Sequence, residues 1–148
     1  MNKQQIKLAS ILTIVGALPF VAAVAAQLAG VSAYHTSYFS LTYGAVILSF
    51  LGGMHWGVFL SQAHVARINL LVSSNLFALL AWLSLLMLVP LTQYLIQITC
   101  FLALLLIDRK LAADGMIERW FYNLRKQVTL VVVVCLATLA VLTFKHAL

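Results

Sequence analysis

His55 stands well inside an apolar run, and no other apolar run of this sequence holds a comparably costly side chain. It stands in the run Tyr43–Ser61, read Tyr-Gly-Ala-Val-Ile-Leu-Ser-Phe-Leu-Gly-Gly-Met-His-Trp-Gly-Val-Phe-Leu-Ser, which carries four of the seven glycines. That run is long and apolar enough to cross a bilayer, and an ionisable group at such depth must face protein or a wet cavity. A neutral imidazole offers one donor and one acceptor, so it can hydrogen-bond a neighbouring helix, relay a proton or hold a ligand. Trp56 beside it adds an apolar ring with a polar edge for a lipid or quinone.

The partner of His55 can be sought by depth. Counted at 1.5 Å per residue from the polar loop that follows, His55 and Asn75 lie about 10 Å below one interface on antiparallel neighbours. The expectation is an interhelical hydrogen bond from His55 to Asn75 or Ser74. Spacing argues against haem and metal, so no cofactor is expected. His64 lies nine residues on, on the opposite helix face and about 13 Å higher, and His35 and His146 belong to the other side. No carboxylate or cysteine cluster supplies further ligands.

Asp108, at the end of the fourth apolar run, is the second candidate. It can pair with Arg109, Arg125 or Arg67 and form a polar rim with Trp120 that ties loops to helix ends. Asn75, Ala78 and Trp82 share a helix face. No nucleophile with its base, phosphate loop or HExxH motif occurs, so catalytic residues are not assigned and an enzyme is not the favoured reading.

These residues need a membrane to position them. The chain has 148 residues, 64% of them hydrophobic and 8% charged, with a mean hydropathy of +1.08. No soluble core of this size hides so much apolar surface. The fold class expected is all-α, a compact bundle of five transmembrane helices in one domain, 1–148. Its spans fall at about 8–29, 41–62, 70–89, 92–107 and 128–144. An amphipathic helix over about 116–126, with Met116, Ile117, Trp120, Phe121 and Leu124 on one face, is expected to lie at the headgroups before the last span.

Ala23-Val24-Ala25 resembles a signal-peptidase site, but Ala9, Gly16, Ala23 and Gly30 recur every seven residues as on a packing face, so the first run is read as a retained span that Pro19 kinks. In the second span Ala45, Ser49, Gly53, Gly57 and Ser61 are spaced by four. Such a ladder of small residues, with Gly52 beside it, lets another backbone approach closely. Cys100 and Cys135 are read as small packing residues.

Eight of the nine Lys and Arg residues fall on one side if the N-terminus is cytoplasmic and the C-terminus periplasmic, as the positive-inside rule prefers. The net charge of +6 flanks apolar runs and forms no stripe, which points to anionic headgroups near the cytoplasmic face and away from nucleic acid.

Tyr43–Gly57, together with Gly16-Ala-Leu-Pro-Phe20 and Trp120-Phe-Tyr-Asn-Leu-Arg-Lys-Gln-Val-Thr129, resembles a family of uncharacterised bacterial membrane proteins, a domain of unknown function related to the mitochondrial transmembrane protein 69. The resemblance covers most of the chain. Its pattern implies roles for Gly52, Gly53, His55, Trp56, Gly57, Trp82, Asp108, Trp120, Leu124, Arg125 and Thr129; Phe121 and Glu118 depart from it, where tyrosine and proline are expected. It implies a multi-pass protein of the bacterial inner membrane and brings no activity. The function expected is that of a structural or accessory membrane protein, alone, as a homo-oligomer or within a larger complex. The alternative is a small oligomeric transporter or channel, or a lipid or quinone binder, using His55.

Overall fold

The computed structural model of the chain describes residues 2–62 and 69–147, and these form α-helices and the turns between them. The helices are α1 (Lys3–Val15), α2 (Leu18–Leu28), α3 (Ala33–Gln62), α4 (Leu70–Leu85), α5 (Pro90–Ala113) and α6 (Arg119–Ala147). Four lengths are apolar and long enough to cross a membrane: α1 with α2, α3, α5 and α6; α4 is a shorter apolar helix.

Local chemistry sets the boundaries. Asn2 caps α1 and exchanges side-chain and backbone bonds with Gln5. Pro19 has no N–H to give, so the ladder breaks at Gly16–Ala17: the Phe20 N–H turns back to the Ala17 carbonyl. The Gly16 carbonyl that Phe20 would otherwise have served is taken by the Tyr43 hydroxyl at 3.0 Å. The expected kink is therefore present and is repaired from α3. Gly30 (φ 97°) and Gly115 (φ 73°) end α2 and α5 in left-handed turns. In both, the next N–H reaches back to close the helix, Val31 to Ala26 and Met116 to Leu111, which is the Schellman arrangement.

Several helices run differently from the sequence expectation. The second span was expected over 41–62, but α3 starts at Ala33, so Tyr34, His35, Tyr38 and Phe39 stand on its first turns. The fourth, expected to end at 107, continues to Ala113, and the third ends at Leu85. The separate interfacial helix over 116–126 is absent; α6 runs unbroken from Arg119 to Ala147. That segment contains neither glycine nor proline, so nothing in its backbone interrupts the ladder when the amphipathic stretch gives way to the apolar one. The readings of His64 and Arg67 lie outside the described residues.

α3 is the central helix, packed by α2, α4, α5 and α6. The core forms around Phe20, Leu48, Tyr94, Phe101, Leu104 and Leu136, all sealed from the surface. α3 and α5 run parallel, joined by rungs of polar contact. Tyr94 meets Ser40 and Ser37 through its hydroxyl at 3.2 and 3.1 Å. One turn further along, Gln97 donates to the Leu41 carbonyl at 2.8 Å and to Ser84 of α4 at 3.1 Å.

Candidate functional site

The last rung is the charged one. His55 is on α3 seven residues before the end of that helix, and Asp108 is on α5 five residues before its end, so the parallel helices bring them to one height. His55 Nε2 donates to Asp108 Oδ1 at 3.0 Å. From α6, Arg125 donates through Nε and Nη2 to Oδ2 at 3.1 and 3.0 Å. The three side chains are only 3%, 3% and 6% exposed, which places an ion pair and an imidazole inside an apolar bundle.

The roles follow from the donor inventory. A carboxylate only accepts, so the Nε2 that faces it carries the proton. Nδ1 is buried with no partner among the described residues. Asp108 and Arg125 form an ion pair, and each carboxylate oxygen is served by a different helix. An ion pair at this depth is held only when its hydrogen bonds are completed, because the desolvation of both charges opposes it.

Glycine makes the approach possible. At Gly52, close to one turn before His55, a Cβ would stand 2.9 Å from the Ser74 carbonyl oxygen, so α4 lies against bare α3 backbone there. Gly44 is closed in the same way by the pinned Gln97 amide. The face of α3 that looks inward is thus Gly44, Leu48, Gly52 and His55.

The expected bond from His55 to Asn75 or Ser74 is not formed. Asn75 is exposed and donates to the Leu71 carbonyl of its own helix at 2.8 Å, and Ser74 also turns back to Leu71. Asp108 supplies the partner because α5 runs beyond 107, so this acid lies well inside the helix and not on a rim at its end. Among the described residues Arg125, and not Arg109, is the base that reaches Asp108; Arg67 lies outside them. Trp56 and Trp82 point outward, 41% and 56% exposed. Of the small-residue ladder only Ala45 is buried; Ser49, Gly53, Gly57 and Ser61 lie on the outer surface, and a Cβ at Gly53 or Gly57 would meet nothing within 4 Å. The inner ladder is one residue over, at Gly44, Leu48 and Gly52. Among the described residues no three His, Cys, Asp or Glu side chains gather as metal ligands.

Between α1, α3 and α6 lies a cavity of about 410 Å³ with a nearly all-carbon lining. Arg125 and Thr129 stand on its wall. Sequence reasoning gave this pair no shared role, although their i, i+4 spacing sets two polar groups on one face of an otherwise apolar helix.

A multi-span α-helical membrane protein with a charged cluster buried towards one end of its helices is the class these features define. Residues 5–141 match the model of a family described as protein of unknown function (DUF3429), and the chain belongs to that family. It is also similar to transmembrane protein 69 of Xenopus tropicalis, 34% identical over 125 residues, covering 82% of this chain and 49% of that protein. The chain thus spans about half the length of this curated relative. No solved structure matches it.

Proposed function

We propose that the chain is a structural or accessory protein of the bacterial inner membrane, a five-pass bundle whose His55–Asp108–Arg125 cluster locks α3, α5 and α6 together. The observation that carries this reading is the bridging of Asp108: one oxygen accepts from α3 and the other from α6, and all three side chains are buried. A relay or transport pathway calls for a wet approach to the ionisable group, whereas hydrogen-bonding glue calls for buried contacts between helices. The exposed run Ser49, Gly53, Gly57 and Ser61 supports a lateral neighbour in the membrane, a second copy or another protein. Clustered basic residues at the α5–α6 turn support contact with anionic headgroups.

The test compares wild type with His55→Gln and His55→Ala by thermal unfolding of the purified protein. Glutamine still donates to Asp108, so the expected loss is about 1 kcal/mol or less, while alanine leaves a carboxylate oxygen buried and unpaired and costs about 3 kcal/mol. If both variants match or exceed wild-type stability, His55 is kept at a cost to stability, and the structural reading gives way to transport or ligand binding.

A further inference from the structure

The kink that lets α2 enter the core turns α1 away from it. α1 contributes no buried residue, while α2 buries Phe20, Ala23 and Gln27. The space left between them is the cavity of about 410 Å³, inside the range of small-molecule sites. Its walls include four phenylalanines, Phe20, Phe50, Phe101 and Phe121, and three polar side chains, Thr13, Arg125 and Thr129, of which Thr13 spends its hydroxyl on the Ala9 carbonyl of its own helix. Arg125 and Thr129 are more than nine-tenths buried, at 6% and 2% exposed. Arg125 commits Nε and Nη2 to Asp108, and among the described residues nothing accepts from Nη1. The Thr129 hydroxyl likewise has no partner among them, yet neither atom is among those sealed without one. Two donors one helical turn apart thus retain surface in an aromatic, apolar chamber.

We infer that this cavity binds an isoprenoid quinone from the membrane. Three features select that chemistry. The charge of Arg125 is already balanced by Asp108, so a neutral acceptor fits where an anionic head would bring an uncompensated charge into low dielectric. The aromatic walls suit a flat conjugated ring, edge or face on. A single chamber takes one tail, whereas a phospholipid brings two chains and an obligatory phosphate. The quinone carbonyl accepts from Arg125 Nη1 and the Thr129 hydroxyl, and the tail leaves past Leu12 and Gly16 of the loosely held α1. Only binding is assigned here, and it stands or falls independently of the clamp role of His55.

The probe is a short-tailed ubiquinone titrated into the full chain in phosphatidylcholine nanodiscs, read by calorimetry against empty discs. Saturable binding of one molecule per chain is expected. Thr129→Val, which keeps the side-chain shape, should weaken it about fivefold to tenfold, the loss of one hydrogen bond. Ala9→Phe fills the chamber from α1, which buries nothing, and should abolish binding while leaving the unliganded melting temperature unchanged. Uptake indistinguishable from empty discs overturns the inference, as does equal binding by wild type and Ala9→Phe. Native mass spectrometry showing a phospholipid retained by wild type and released in Ala9→Phe overturns it too, since the occupant is then a charged lipid.

Discussion

Asp108 is the side chain on which the interior turns, because it is the acid that is buried and the groups around it make sense only in its presence. Removing its charge as Asp108→Asn keeps the shape but strands the Arg125 cation, and the expected cost is about 3–5 kcal/mol. Adding Arg125→Gln to that variant removes the stranded charge, so the double variant should regain more than half of the loss. Thermal or denaturant unfolding of the four proteins in the cycle reads this coupling directly, and simple additivity would show that the two charges do not act as a pair. The adjoining glycines divide in the same local way. Gly52→Ala must push α4 backbone and should cost about 1–3 kcal/mol. Gly53→Ala meets open space and should gain a few tenths of a kcal/mol up to about 1 from helix propensity. A purely sequence-based ladder, which holds Gly53 and not Gly52, predicts the reverse order in the same melting experiment.

At the scale of the helices, sequence and structure diverge where a side chain's partner depends on where a helix ends. Apolar runs, Pro19 and the absence of charge in the spans made the helices themselves readable, and His55 was recognisable by its cost. Its partner was not, because hydropathy stops the fourth span at Ile107 whereas the backbone continues until Gly115 turns it. Those extra residues carry Asp108 from a rim into the bundle. The same limit applied to α6, where a change from amphipathic to apolar pattern suggested two helices although no residue breaks the chain. The α1–α2 kink was readable because proline forces it, but its repair by Tyr43 needed the fold. Tyr43→Phe removes the donor to the Gly16 carbonyl and should lower stability by about 0.5–1.5 kcal/mol. Amide exchange measured alongside should quicken at Gly16 to Phe20 and stay unchanged in α5. Uniform change across the bundle would mean that the hydroxyl is not what holds the kink.

For the whole molecule, the sidedness of every loop depends on α4. Its 16 residues reach about 24 Å, short of the ~30 Å hydrocarbon layer, so length alone does not make it a span. Its contacts argue that it crosses. Ser74 lies against Gly52 near one end of α3, and Ser84 reaches Gln97, which bonds Leu41 near the other end. A helix that accompanies α3 over that distance brings the chain back beside the start of α3 before Pro90, and α5 then runs parallel to α3; in the proposed five-pass reading this makes α4 a crossing. On the proposed reading, with the N-terminus in the cytoplasm and five crossings, Ser32 is expected on the periplasmic side and Asp114 on the cytoplasmic side, where the positive-inside rule prefers the basic turn after α5. Single cysteines at these two positions, Ser32→Cys and Asp114→Cys, in a background carrying Cys100→Ala and Cys135→Ala, separate the cases. A membrane-impermeant maleimide applied to intact spheroplasts should label the first, and reach the second only after lysis. Labelling of both before lysis means that α4 dips into the membrane and returns. α5 would then run outward, and its parallel register with α3, which brings Asp108 to His55, could not exist in the bilayer.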